Sequence, residues 1–161
     1  DGNENADSWK VALKLNAPSA FVLSRQGLDP LAKGEFGEVS NGAYLLSSSQ
    51  DAKITFIASG SEVSLCVKAA EILSQQGIGA NIVSAPCFDL LCEQPDEYVS
   101  KILDKNTTII AVEAATGYEW YKFADAVYGM NSFGASGKAN ELFDYFGFTP
   151  QKLANFASEL I

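Results

Sequence analysis

Residues 52–77 read AKITFIASGSEVSLCVKAAEILSQQG, and this stretch decides the fold. Residues 54–58 are apolar almost without interruption, which is typical of a strand buried on both faces. The part that follows Gly60 is typical of an amphipathic helix that ends at Gly77. Its apolar residues recur at spacings of three and four: Val63, Cys66, Val67, Ala70 and Leu73. Residues 80–84 then predict a second strand, so this region forms a β-α-β unit with a right-handed crossover.

The turn between the first strand and the helix contains Gly60, Ser61 and Glu62. Gly60 permits a sharp turn, and the Ser61 hydroxyl is expected to accept a backbone N–H bond at the start of the helix. Glu62 is expected to face water, as are Lys68 and Glu71.

Strand and helix patterns alternate along most of the chain outside this unit. Upstream, the sequence predicts a helix that begins at Asp7 or Ser8 and ends at Leu15, a strand at 19–23, a connector at 26–41 and an edge strand at 42–47. Downstream, it predicts a loop at 87–92, a helix from Pro95 to Leu103, a strand at 107–112 and helices at 119–128, 139–146 and 150–160. The order predicts an α/β fold, a three-layer open sheet of mostly parallel strands with one antiparallel edge strand and helices on both faces.

Composition excludes several classes of function. The formal net charge of −9 argues against nucleic acid and anionic membranes as partners, because both would repel the chain. No apolar run reaches the roughly 18 residues that cross a bilayer, and the polar N-terminus lacks the apolar core of a signal peptide, so a cytoplasmic location is expected. The chain has three cysteines and no histidine, which removes the usual zinc ligand and the usual general base. The first residue is not methionine, so a fragment of a longer protein is expected.

Arg25 is the only arginine among eleven basic residues, and it follows a predicted strand. A guanidinium group binds phosphate or carboxylate in two-point geometry, so Arg25 is a candidate anion clamp. The alternative is an ion pair on the surface.

Gly60, Ser61 and Glu62 form a second candidate anion site, because backbone N–H groups and the helix dipole meet at such a position. A plain structural turn is the alternative, and the spacings of the nucleotide-binding motifs are absent. Glu113 and Glu119 flank a glycine loop at a strand's carboxyl end, where α/β ligands often bind.

Two further features have structural alternatives. The loop with Gly134, Ser136 and Gly137 is either an anion nest or a connector. The aromatic residues between 118 and 128 either stack a ring-shaped ligand or fill a core or a subunit interface.

Several stretches together carry a family resemblance. They are residues 1–4 (DGNE), 23–26 (LSRQ), 59–65 (SGSEVSL), 112–113 (VE), 131–139 (NSFGASGKA) and 146–150 (FGFTP). On these residues the chain resembles the C-terminal part of the transketolase family over essentially its whole length.

The resemblance implies a homodimeric transferase of the pentose phosphate pathway, dependent on thiamine diphosphate and Mg²⁺ or Ca²⁺, that moves two-carbon ketol units between ketose and aldose phosphates. It implies that residues 1–26 are the tail of the pyrimidine-binding domain, 27–41 a linker and 42–161 the third domain. Arg25 matches the family's arginine that contacts the substrate phosphate. The family's cofactor, metal and histidine motifs lie upstream, so this chain alone is expected to bind no cofactor and to be inactive. The alternative function is a non-catalytic module that binds an anion or a regulator.

Overall fold

The fold is built on one five-stranded sheet in a computed structural model that describes residues 1–161. The strands are β1 Tyr44–Ser47, β2 Ala52–Ala58, β3 Gly79–Ser84, β4 Thr108–Glu113 and β5 Ala126–Gly129. Their order across the sheet is β1-β3-β2-β4-β5, with β1 antiparallel to β3 and all other neighbours parallel. The predicted fold class, including the antiparallel edge strand, is confirmed.

Six α-helices surround the sheet. They are α1 Gly2–Lys14, α2 Ser61–Gln75, α3 Phe88–Cys92, α4 Asp96–Ile102, α5 Ala139–Phe146 and α6 Pro150–Ser158. Two 3₁₀ turns, Val39–Asn41 and Tyr118–Lys122, complete the regular structure. None of the helices has both the length and the hydropathy that crossing a bilayer requires.

Each face of the sheet has its own apolar core, because side chains alternate along a strand. On the face that packs against α2 and α6, Phe56 is fully buried together with Leu73 and Leu153. On the opposite face, Ile57 is fully buried together with Leu91. The neighbours Phe56 and Ile57 therefore point into different cores, and this gives the three layers.

Helix α2 ends as its sequence predicts. Gly77 adopts a φ of +76°, a left-handed conformation that favours glycine. The N–H of Ile78 donates to the Leu73 carbonyl at 3.0 Å, and the N–H of Gly77 donates to the Ser74 carbonyl at 3.0 Å. These bonds satisfy carbonyls that the helix end would otherwise leave free.

The N-terminal predictions need two corrections. Helix α1 begins at Gly2 rather than after Asp7 or Ser8, because the Asp1 carboxylate accepts the Glu4 N–H at 2.9 Å and caps the helix. The predicted strand at 19–23 is absent, since no neighbouring strand offers it a hydrogen-bonding edge. That segment lies against α1 instead, where the Phe21 ring stacks on Trp9 with centroids 4.3 Å apart.

Three further boundaries differ from the predictions. The predicted helix at 119–128 is a 3₁₀ turn followed by β5, because the edge of β4 pairs with residues 126–129 and outweighs local helical spacing. The predicted loop at 87–92 contains α3, whose Leu91 side chain is buried. Strand β1 begins at Tyr44 because Gly42 has a φ of +81°, which is incompatible with a strand.

A chain of buried polar side chains crosses the sheet. The Asn81 amide donates to the Thr55 hydroxyl at 3.3 Å, and the hydroxyls of Thr55 and Thr107 lie 2.6 Å apart. Since the Thr107 hydroxyl donates to the Asp104 carbonyl at 2.7 Å, Thr55 is the donor to Thr107. The buried hydroxyls of Thr55 and Thr107 therefore both have hydrogen-bond partners.

Thr55→Val is expected to lower the free energy of unfolding by about 1–3 kcal/mol, because the isosteric change leaves the Asn81 amide without its acceptor. Urea denaturation measures the loss. The matched control is Thr108→Val on β4, a partly exposed position without a side-chain hydrogen bond, which should change stability by no more than about 0.5 kcal/mol. Equal losses in the two variants would contradict this account of the Thr55 hydroxyl.

Candidate functional site

The carboxyl ends of β2 and β4 lie side by side, since Ala58 pairs with Val112. The chain leaves β2 toward β3 on one side and later returns to β4 on the other side. This place is a topological switch point, where open α/β sheets bind their ligands. The residues that leave the sheet here are Ser59 to Glu62 after β2, and Glu113 at the end of β4.

Glu62 was expected to face water, and this expectation is wrong. Only 5% of the residue is exposed, because it lies in the first turn of α2, the helix that packs against the sheet. The Ser61 hydroxyl donates to the Glu62 carboxylate at 2.9 Å and does not cap the helix, whose N-cap is Gly60. Burial raises the pKa of the Glu62 carboxyl to about 7, and the negative charge of Glu113 contributes to the rise.

Glu113 is a second carboxyl at this edge, and it is half-buried. The Ser59 hydroxyl donates to its carboxylate at 3.3 Å. Burial raises the pKa of Glu113, and the charge of Glu119 adds to the increase. Glu119 itself is exposed, whereas Glu62, whose pKa the charge of Glu113 helps to raise, is buried. Sequence reasoning missed this pair, because the β-α-β pattern places β2 next to β3, and only the order of the sheet shows that β4 is the other neighbour of β2.

Arg25 lies in a bend on the surface and is exposed. The two ion pairs of the chain are Asp7–Lys10 at 2.7 Å and Lys138–Glu141 at 3.4 Å, so Arg25 has no carboxylate partner in this structure. The preceding residue, Ser24, approaches the turn after β2, because its hydroxyl lies 3.7 Å from the point where a Cβ on Gly60 would stand. The segment that carries Arg25 therefore passes beside the turn with Gly60, Ser61 and Glu62.

A cleft of about 400 Å³ lies between α1, the segment 19–28 that follows it, and the turns after β2 and β3. Ser24, Ser59, Gly60 and Cys87 are among its lining residues. The side-chain oxygen of Asn5 also faces this region and is buried without a hydrogen-bond partner. A buried side-chain oxygen without a hydrogen-bond partner is uncommon in folded proteins.

Glu4 connects α1 to the edge of the sheet by hydrogen bonds. Its carboxylate accepts the Ser84 hydroxyl at 2.5 Å and the Tyr44 hydroxyl at 3.0 Å. Burial raises the pKa of the Tyr44 hydroxyl, and the charge of Glu4 adds to the rise. These contacts hold the first turn of α1 against β1 and β3.

The remaining sequence candidates separate into core and surface residues. Trp120 is buried and packs edge-on against Phe88, with ring centroids 5.2 Å apart. Tyr118 and Tyr121 are exposed. The glycine loop at 134–137 is exposed along its whole length and lies outside the cleft.

The donor set for a bound metal is poor. No group of three His, Cys, Asp or Glu side chains lies close enough together to hold an ion. A divalent metal prefers several oxygen ligands around it, and a diphosphate needs that metal or a cluster of cations. The residues of this chain therefore do not fit a thiamine diphosphate and metal site.

The fold defines an α/β domain whose candidate site lies at the carboxyl ends of the parallel strands β2 and β4. Residues 42–149 match the family described as transketolase-like TK C-terminal domain. The chain is 41% identical to transketolase 1 of Saccharomyces cerevisiae over 162 aligned residues, covering 100% of this chain and 24% of that protein.

Solved structures agree with this match. A transketolase from Campylobacter jejuni superposes with a TM-score of 0.92 at 51% identity, covering 97% of this chain and 24% of that one. A transketolase from Pichia stipitis, in complex with sedoheptulose 7-phosphate, superposes with a TM-score of 0.91 at 38% identity, covering 99% and 24%. The chain belongs to the transketolase family, and it spans about a quarter of the length of these relatives.

Proposed function

We propose that this chain is the C-terminal part of a transketolase that transfers two-carbon ketol units between ketose and aldose phosphates. The observation that carries the proposal is the match along the whole chain to transketolases at 41% and 51% identity. In this proposal the chain supplies structural surface and one substrate contact, while the reacting groups belong to sequence outside it.

Arg25 is the substrate contact in this proposal and binds the phosphate of the sugar. Three observations support the role: the guanidinium is exposed, no carboxylate neutralises it, and Ser24 beside it lines the cleft. A planar guanidinium forms two charge-assisted hydrogen bonds to one phosphate, which a lysine cannot do in the same geometry. The Pichia stipitis relative, which binds sedoheptulose 7-phosphate, suggests the chemical class of the substrate.

The domain division is part of the proposal. Residues 1–26 form the tail of the pyrimidine-binding domain, 27–41 a linker, and 42–161 the third domain. Helix α1 has no buried residue, and Leu13 and Val22 expose 80% and 99% of their surface. In this proposal the exposed apolar side chains and the unpaired Asn5 oxygen contact the rest of the pyrimidine-binding domain in the full protein.

The cofactor and the second subunit also enter as proposals. The full enzyme uses thiamine diphosphate with Mg²⁺ or Ca²⁺, which supplies the carbanion chemistry when bound. It works as a homodimer in the cytoplasm, and the free thiols of Cys66, Cys87 and Cys92 agree with a reducing compartment. In this proposal the residues of this chain hold the substrate end of the site.

A chimera tests the proposed function. Replacing the corresponding C-terminal quarter of the Campylobacter jejuni transketolase by this chain should retain ketol transfer, measured with a ketose phosphate donor and an aldose phosphate acceptor. The same chain alone should give no activity and no binding heat with thiamine diphosphate and Mg²⁺ in calorimetry. A folded, dimeric chimera without activity would contradict the proposal, and so would micromolar cofactor binding by the chain alone.

The alternative of a non-catalytic anion-binding module at Gly60, Ser61 and Glu62 is not favoured. The buried Glu62 carboxyl adjoins the turn, and in its charged form it repels an anion. Two amides at this helix start are also engaged, since Glu62 N–H donates to the Ser59 carbonyl at 3.2 Å and Val63 N–H to the Gly60 carbonyl at 3.3 Å.

A further inference from the structure

We propose that Glu4 docks residues 1–26 onto the third domain, and that the hydroxyls of Tyr44 and Ser84 are the docking site for its carboxylate. This docking rests on the division of the chain at residues 27–41 that belongs to the proposed function. Its contacts and its test are independent of ketol transfer.

The docking site lies where β1 pairs with β3, since Tyr44 is the partner of Ser84 across the two strands. Side chains of directly paired residues stand on the same face of a sheet, so the two hydroxyls are close together. Both hydroxyls donate to the same oxygen, Oε1 of Glu4, at 3.0 Å from Tyr44 and 2.5 Å from Ser84. The sheet edge therefore offers two donors that converge on one carboxylate oxygen.

The Ser84 hydroxyl depends on this acceptor. Only 1% of Ser84 is exposed, and its hydroxyl donates to Glu4. A buried hydroxyl without a hydrogen bond costs free energy, so the sheet favours a docked carboxylate over an empty site. A carboxylate also accepts stronger hydrogen bonds than a neutral group does, because the bonds are charge-assisted.

Apolar packing contributes little to the attachment of α1 in this structure. Helix α1 has no buried residue. The cleft of about 400 Å³ runs beside the helix, lined by Val11 and Leu15 of α1 and by Pro86 and Leu90 of the third domain. The hydrophobic effect grows with the apolar area removed from water, and an open cleft removes little. Directed hydrogen bonds therefore determine how α1 is oriented on the sheet.

Glu4 accepts most of the hydrogen bonds that cross the domain boundary. Residues 1–26 make three hydrogen bonds to later residues, of which Glu4 accepts two. The third joins the Asp1 carboxylate to the Leu31 N–H at 2.6 Å and so ends in the linker, not in a strand.

The linker itself holds α1 only loosely. Residues 16–34 make no backbone-to-backbone hydrogen bond, and pairing with β1 begins at Glu35, whose N–H donates to the Leu45 carbonyl at 2.9 Å. The Phe21 ring stacks on Trp9, so the segment after α1 is attached to the helix. Helix α1 and this segment therefore form one unit, and Glu4 fixes that unit on the third domain.

The experiment measures the orientation of α1 relative to the sheet by NMR, from residual dipolar couplings of backbone N–H groups in the weakly aligned chain. One alignment tensor should fit α1 and the five strands of the unmodified chain. The double variant Tyr44→Phe/Ser84→Ala removes the docking site and leaves the sequence of α1 intact. In this variant the couplings of α1 should no longer fit the tensor of the strands, while the strands keep theirs. Glu4→Ala should give the same result.

Hydrogen exchange measures the size of the effect. Loss of the charge-assisted hydrogen bonds should raise the undocked fraction of α1 about 10- to 150-fold. An isolated helix of 13 residues is marginal in water, so the α1 amides exchange once α1 is undocked and should exchange faster by that factor. The amides of β2 should be unchanged. Glu4→Gln retains a neutral acceptor and should lie between Glu4→Ala and the unmodified chain.

Asp7→Ala is the matched control, because it removes the other carboxylate of α1, which is exposed and pairs with Lys10. It should change the exchange of α1 far less than Glu4→Ala does. An α1 that keeps its orientation in Tyr44→Phe/Ser84→Ala, or exchange that is equally fast in Asp7→Ala and Glu4→Ala, would overturn the docking role of Glu4. Ketol transfer by the chimera tests the proposed function separately.

Discussion

Arg25→Ala in the Campylobacter jejuni chimera is expected to raise KM for a phosphorylated acceptor about 10- to 150-fold. Charge-assisted hydrogen bonds contribute about 1.5–3 kcal/mol, and each 1.4 kcal/mol corresponds to about a factor of ten. The effect should be confined to phosphorylated substrates, since an unphosphorylated aldose has no group for the guanidinium to bind. Steady-state kinetics with an aldose phosphate and the matching free aldose measure the difference.

Arg25→Lys is the matched control for this prediction. It retains the positive charge but removes the two-point geometry, so its KM should lie between those of the parent and the alanine variant. The KM for the free aldose should stay unchanged in both variants. Equal losses on phosphorylated and free substrates would show that Arg25 does not act on the phosphate.

Phe56→Ala is expected to lower the free energy of unfolding by about 3–5 kcal/mol, the loss typical of a buried phenylalanine. Phe56 is fully buried on β2, the central strand, and belongs to the core between the sheet and α2. Truncation removes apolar burial and leaves a cavity that the neighbouring strands β3 and β4 hold open. Urea denaturation monitored by circular dichroism measures the loss.

Phe133→Ala is the same substitution at a fully exposed position and serves as the control. It should change stability by no more than about 0.5 kcal/mol. A Phe56 variant no less stable than the Phe133 variant would mean that the core is not centred on β2.

Local patterns were enough for most of the secondary structure. The strand and helix of residues 52–77 were predictable because a short uninterrupted apolar run is typical of a strand buried on both faces, and the apolar face of a helix repeats every 3.6 residues. The stop at Gly77 was also predictable, since glycine alone adopts its φ of +76° without strain. The strand β5 was not, because pairing with β4 rather than local spacing determines its conformation.

The candidate site divides in the same way. The sequence identified Arg25 and the turn at Gly60, because a single arginine and a glycine between a strand and a helix are visible without coordinates. Only the structure showed that Ser24, the residue before Arg25, lies beside that turn.

The sequence by itself determined the class of fold and the position of the β-α-β unit, since both follow from the local order of apolar and polar residues. It also showed directly that Arg25 is the only arginine. Only the tertiary structure decided that Glu62 is buried beside Glu113. Ser59 and Glu113 are 54 residues apart in sequence, and burial depends on which distant elements pack together. A carboxyl's charge depends on that packing, so no local pattern of residues reveals it.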